Sequence, residues 1–125
     1  GSTRYVPLVG VALKAAQEAL AHDARGPWVF DRYINHQKQE TRNGTASASA
    51  NKRIKAILGG DAPTCHSFRH TMQTRLRNVE CPEPIRNELG GWAKTVSQNY
   101  GSPTDIKIKK KYLLDSINVR GGVRL

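Results

Sequence analysis

The sequence predicts a mainly α, compact helical domain with a short strand, a hairpin remnant, at its N-terminal end. Three observations lead there. Apolar residues recur at helical spacing in several separate stretches, the plainest being Val9-Leu13-Ala16-Leu20 and Phe68-Met72-Leu76. Glycine and proline pairs punctuate them at Gly26-Pro27, Gly59-Gly60 and Gly90-Gly91. Only Arg4 to Leu8 reads as extended, and Pro7 confines that stretch to an edge or an end of a sheet. At 125 residues the chain is expected to be one domain with a modest core.

In chain order, Gly1-Ser2 reads as a cloning remnant. After the strand, a first helix is predicted from Val9 to about Ala24, in a run of good helix formers. Trp28-Val29-Phe30 is expected to pack in the core. The polar stretch from Asp31 to Ala46 reads as a loop, with one turn of helix near Tyr33. His22 and His36 have no charge partner nearby in the sequence and are expected at the surface. Ser47 to Leu58 reads as a second helix, with Ser47 or Ser49 as its cap. Ile54, Ile57 and Leu58 form its apolar face, and Gly59-Gly60 ends it.

Pro63-Thr64 opens the central helix, which runs to about Asn78. Its core stripe is Phe68, Met72 and Leu76, with His66, Arg69, Gln73 and Arg77 on a neighbouring face. Cys81-Pro82-Glu83-Pro84 reads as a turn, and Ile85 to Leu89 as a short helix. Thr95 to Asn99 brings Tyr100 in on a short helix or a flexible segment. Ile106 to Ile117 reads as an amphipathic helix, apolar at Ile106, Leu113, Leu114 and Ile117. Lys107, Lys109, Lys110 and Lys111 supply its basic face, and Tyr112 packs. Val119 to Leu125 shows no periodicity and is expected to be loose.

Composition narrows the partners. Twenty Lys and Arg against ten Asp and Glu give a formal charge of +10, which favours a polyanion. No long apolar run or strongly basic amphipathic helix points to a membrane. Cys65 and Cys81 make no disulfide framework and fit a reducing cytoplasm. His66 and His70 stand four apart beside Cys65, but a metalloprotease helix requires Glu where Ser67 stands, and no second Cys/His pair follows at finger spacing. No metal is expected.

The densest chemistry lies in Thr64-Cys65-His66-Ser67-Phe68-Arg69-His70-Thr71, then Gly90-Gly91-Trp92, then Asn99-Tyr100-Gly101. His66 and Arg69, three apart, share one face of a helix. Arg69 offers a planar fork of donors for phosphate oxygens. His66 can move a proton near neutral pH. Trp92 supplies an indole N–H, a donor only, and Tyr100 a phenol able to act as a nucleophile. Together these parts suit phosphoryl transfer.

These elements resemble the second half of a tyrosine recombinase (phage integrase) catalytic domain. The family's His-x-x-Arg-His-Thr box is matched by His66, Arg69, His70 and Thr71. Its Leu-Gly-His/Trp element, some twenty residues later, is matched by Leu89 to Trp92, and its Tyr-Gly by Tyr100-Gly101. Arg4-Tyr5-Val6-Pro7-Leu8 resembles the Arg-x-x-Pro-Leu strand that precedes the first helix, so the likeness runs from about residue 3 to 113. Without a gap Gly91 falls on the His/Trp position; Trp92 is preferred because glycine has no side chain to offer a phosphate.

The resemblance implies a recombinase-like catalytic fold and site-specific recombination or integration of double-stranded DNA, as by a bacterial prophage or mobile element acting on the nucleoid. It implies that Tyr100 attacks a phosphodiester to form a 3′-phosphotyrosyl link, while Arg69 holds the non-bridging oxygens, His66 relays a proton and Trp92 adds a hydrogen bond. His70 would donate structural hydrogen bonds behind the site. No nucleotide cofactor is implied. Lys52, Arg53 and Lys55 are candidates for DNA-backbone contact, and Arg75 and Arg77 for contact with DNA or solvent. The tail after Tyr100 could dock on a neighbouring protomer, giving a homo-oligomer on DNA. The family's first arginine and its hairpin lysine lie upstream of the matched strand, so these 125 residues alone are expected to be inactive or nearly so. Two other readings fit the charge: a non-catalytic DNA-binding or assembly module, and a type IB topoisomerase-like enzyme.

Overall fold

The computed structural model describes residues 4–22, 28–92, 102–120 and 123–124. The described residues are mainly helical. The order is α1 (Gly10–His22), a 3-10 turn (Asp31–Tyr33), β1 (Ile34–Asn35), β2 (Glu40–Thr41), α2 (Asn43–Leu58), α3 (Cys65–Asn78), α4 (Glu83–Gly90), α5 (Ile106–Ile117), β3 (Val119–Arg120) and β4 (Val123–Arg124). The chain divides into two compact units, one of residues 1–14 with 69–125, the other of residues 15–68.

The first unit contains the core. Leu76, Val79, Cys81, Leu89 and Leu113 are buried, with Val9, Met72, Ile85, Trp92 and Tyr112 packed against them. The lower end of α3 enters this core because the helix stops in a closed turn. Glu80 takes a left-handed φ of 55°, its N–H returns to Arg77, and the Cys81 N–H returns to Leu76 (both 2.9 Å). That is a Schellman closure, and it brings Cys81 against Leu76, as such closures commonly do. The predicted stripe holds at Met72 and Leu76 but not at Phe68, which is 54% exposed. Burial pushes the Cys81 thiol up to about 11, with the Arg86 charge pulling the other way.

α4 starts two residues earlier than predicted, because Pro84 fits within the first turn, where no N–H is required. Gly91, at φ 62°, closes it in the left-handed region, and the Trp92 N–H returns to the Asn87 carbonyl (3.1 Å).

α5 matches its predicted span, and Lys107, Lys110 and Lys111 of its predicted basic face are exposed, but Lys109 is not. Lys109 is only 3% exposed, and its ammonium sits 2.7 Å from Glu88 of α4. The Glu88 carboxylate also accepts from the Thr104 N–H (3.1 Å) and hydroxyl (3.0 Å), while Lys109 donates to the Tyr5 carbonyl (3.4 Å). One buried charge therefore ties the N-terminal segment, α4, the 102–105 segment and α5 together. Burial raises the Glu88 pKa, but the hydrogen bonds from Lys109 and Thr104 and the Lys109 charge outweigh it, leaving the carboxyl below its ordinary value. Asp105 caps α5 by accepting from the Lys107 N–H (2.7 Å).

Two further expectations for this unit are corrected. Residues 4–9 form no strand; Pro7 offers no N–H, and no described segment pairs with them. Val119–Arg120 and Val123–Arg124, expected to be loose, pair as a two-residue antiparallel ribbon.

In the second unit no described residue is buried. The 31–46 stretch has the expected turn of helix at Asp31–Tyr33, but where the rest is expected as a loop it folds into a small hairpin and the start of α2. Ile34 pairs with Thr41 and Asn35 with Glu40, and the Arg42 N–H bonds the Tyr33 carbonyl (2.7 Å). Two-residue strands are too short to show an alternating pattern, which is why the sequence hid them. α2 begins at Asn43, so Ser47 and Ser49 lie inside it and neither caps it. Gly59 ends α2 as expected, at φ 100°. Of its apolar face, Ile57 and Leu58 are exposed and only Ile54 is half-buried.

Trp28, Val29 and Phe30 are likewise exposed rather than in the core. With Tyr33, Ile34 and Ala46 they line an open apolar recess of about 270 Å³. His36 is at the surface, but it has a partner in Asp31 (2.9 Å). Both are more than half exposed, so the pair contributes little.

Candidate functional site

The site is built where α3 meets the end of α4, within the first unit. Arg69 is half-buried one turn into α3. Its Nη1 donates to the Gly90 carbonyl (2.6 Å) and its Nη2 to the Gly91 carbonyl (3.5 Å). Those carbonyls close α4, the end where the helix dipole is negative, so a guanidinium is favoured there. The same guanidinium stands 4.9 Å from the Trp92 ring, within cation–π range. Arginine has five donors, and two are used by the turn.

The Gly-Gly pair makes this packing possible. A Cβ on Gly90 would lie 2.1 Å from the Trp92 indole, so the ring rests directly on the backbone at 90. A Cβ on Gly91 would lie 2.5 Å from Nη1 of Arg4. The side chain beside Arg69 is therefore that of Trp92, and Gly91 is the turn residue between them. Arg4, read from sequence only as part of a strand, is brought to the same turn. Nothing local to residues 4–8 signals this, because the neighbour is 87 positions away in the chain.

The remaining candidates are placed as follows. His66 is exposed on the first turn of α3. The start of that helix is held by α2, whose Asn51 Oδ1 accepts from the Cys65 N–H (2.8 Å). His70 is on an exposed side of α3. Lys52, Arg53 and Lys55 are exposed on α2, and Arg75 and Arg77 are exposed near the end of α3. Thr95 to Asn99 and Tyr100 lie outside the described residues.

Among the described residues no group of three His, Cys, Asp or Glu is placed to hold a metal, and no helix is long and apolar enough to cross a membrane. Comparison of the chain with family models, curated proteins and solved structures finds no match.

What the geometry offers chemically is a guanidinium fixed on its inner side by two carbonyls, faced by an indole, with a second guanidinium at the same turn. No described carboxylate forms an ion pair with either arginine. Such a cluster favours an anion with several oxygen acceptors, a phosphate above all.

Proposed function

We propose that this chain forms the second half of the catalytic centre of a tyrosine recombinase acting on double-stranded DNA in the cytoplasm. The observation that carries the reading is the pairing of Arg69 with Trp92 across 23 residues of sequence, around a turn that only glycines allow. Arg69 holds the non-bridging oxygens of one DNA phosphodiester, which gain charge in the transition state. Trp92 adds a single hydrogen bond and cannot move a proton.

The Tyr100 phenol attacks phosphorus, its proton passing to or through His66. The bond to the 5′-oxygen breaks and that oxygen takes a proton, giving a 3′-phosphotyrosyl link and a free 5′-hydroxyl. A second 5′-hydroxyl reverses the step, so the phosphodiester is restored without a nucleotide cofactor. Lys52, Arg53, Lys55, Arg75 and Arg77 contact the DNA backbone, adding affinity and salt dependence rather than sequence choice. The tail after Tyr100 contributes to a homo-oligomer on DNA.

Covalent capture tests the reading. A nicked suicide duplex is incubated with the chain extended upstream by an arginine and a hairpin lysine in the family's positions. The adduct should map to Tyr100 and vanish in Tyr100→Phe, with DNA binding retained. An adduct that persists in Tyr100→Phe removes that tyrosine from the role. The 125-residue chain alone should give at most a trace, and efficient capture would show that the upstream pair is not required.

One observation favours a second reading, a non-catalytic DNA-binding module. Arg69 already caps α4 through both carbonyls, a role that needs no substrate. Under that reading Arg69→Lys weakens DNA binding and stability together and no adduct forms in any extended chain.

A further inference from the structure

Resting on the reading of Arg69 as a phosphate ligand, we propose that Arg4 is an additional guanidinium of the same site, distinct from the upstream arginine that the resemblance implies, so that the Gly90-Gly91 turn presents both Arg4 and Arg69 to one DNA phosphodiester. The guanidinium of Arg4 lies against the backbone of Gly91, with Nη1, Cζ and Nη2 all within 3.0 Å of where a Cβ would stand. Arg69 holds the carbonyls of that same turn from α3. Arg69, held by hydrogen bonds, and Arg4, held by none among the described residues, thus bring two guanidinium groups to two consecutive residues.

Like charges brought together cost free energy unless an anion joins them. No described carboxylate does so. Glu88, the acid nearest this turn in the sequence, is already bound by Lys109 and Thr104. Arg4 makes no hydrogen bond or ion pair to a described residue, and its side chain is exposed. Arg69 keeps donors beyond the two spent on the turn. The set is complementary to a tetrahedral group with two or more free oxygens, and Gly91 matters because any side chain there would displace the Arg4 fork.

Titration of the 125-residue chain with inorganic phosphate, at ionic strength held constant with chloride, tests this through the Nε–Hε NMR signals of the arginines. Both Arg4 and Arg69 signals should shift and saturate together. Arg4→Ala should weaken phosphate binding about tenfold, the scale of one charge-assisted hydrogen-bonded contact. Arg4→Lys should fall between, keeping the charge without the fork. Gly91→Ala should mimic Arg4→Ala, and the exposed Arg4 variants keep the test readable if that turn fails to fold.

Unchanged affinity in Arg4→Ala, or saturation of the Arg69 signal alone, overturns the role of Arg4 while leaving Arg69 as a ligand. No saturable shift at either arginine overturns both. A short DNA duplex should shift the same two signals; a site answering to free phosphate but not to duplex overturns the assignment to a nucleic-acid phosphodiester.

Discussion

The two units of this chain are built on opposite principles. Residues 1–14 with 69–125 enclose a small apolar core around Leu76 and Leu89 and sink one ion pair, Lys109–Glu88, beside it. Residues 15–68 bury none of their described side chains and leave Trp28, Phe30, Ile57, Leu58 and Phe68 open. The first unit carries the arginine–tryptophan turn; the second carries the exposed cations of α2. Placing phosphate chemistry requires side chains held to a fraction of an ångström, which packing and interlocked hydrogen bonds supply. Attracting a polyanion requires only accessible charge, which a solvated helix supplies equally well.

The largest break in that contrast should come from Lys109→Ala. It leaves the Glu88 carboxylate without its main partner, and breaking a buried pair costs about 3–5 kcal/mol, so denaturant unfolding should show a large loss. Pairing Lys109→Met with Glu88→Gln should recover much of it. If Lys109→Ala unfolds like wild type, the ion pair does not organise the first unit.

Arg69→Ala should follow, at about 1–2 kcal/mol, from losing charge-assisted bonds at the end of α4. Its readout is paired: stability and phosphate binding should both fall, and a fall in stability alone would assign Arg69 to capping.

Acid should act on the first unit through Glu88. Its folded pKa lies below the unfolded one, so the folded state binds fewer protons at mildly acid pH. The stabilisation is complete above the unfolded carboxyl value of about 4.3 and is lost as the pH falls through the lower folded value. Glu88→Gln should flatten that part of the stability–pH curve, and an unchanged curve would locate the acid sensitivity elsewhere.

The smallest effect on folding is expected in the second unit. Replacing Lys52, Arg53 and Lys55 together by alanine should change stability by less than about 0.5 kcal/mol, since exposed charges contribute little. It should lower the slope of log affinity for DNA against log salt by about 2–3 if these residues meet phosphates. An unchanged slope would remove α2 from the interface.

Much of the helical skeleton was legible in the chain. The bounds of α3 and α5 and the end of α4 follow from periodic apolar residues, from Pro63 and from the Gly90-Gly91 pair, which act locally through φ and missing donors. The start of α4 is hidden because Pro82-Glu83-Pro84 reads as a turn. Lys109 was misread because a lysine on a polar-looking face is normally solvated. Its register, four residues before the buried Leu113, was the signal that it points inward. Trp28 to Phe30 and Phe68 were misread in the opposite sense, since apolar character states a preference for burial without providing something to be buried against. The hairpin at 34–41 was hidden by its two-residue strands, and Arg4 by the distance to its neighbour.

By itself the sequence determined the helical character, the places where helices must stop, the net positive charge and the inventory of groups able to handle a phosphate. These depend on each residue and its near neighbours. The tertiary structure alone decided that Arg4 comes to the same turn as Arg69 and that Lys109 is spent on Glu88. Those pairings join residues tens of positions apart, and only packing chooses which of several chemically equivalent partners is within reach.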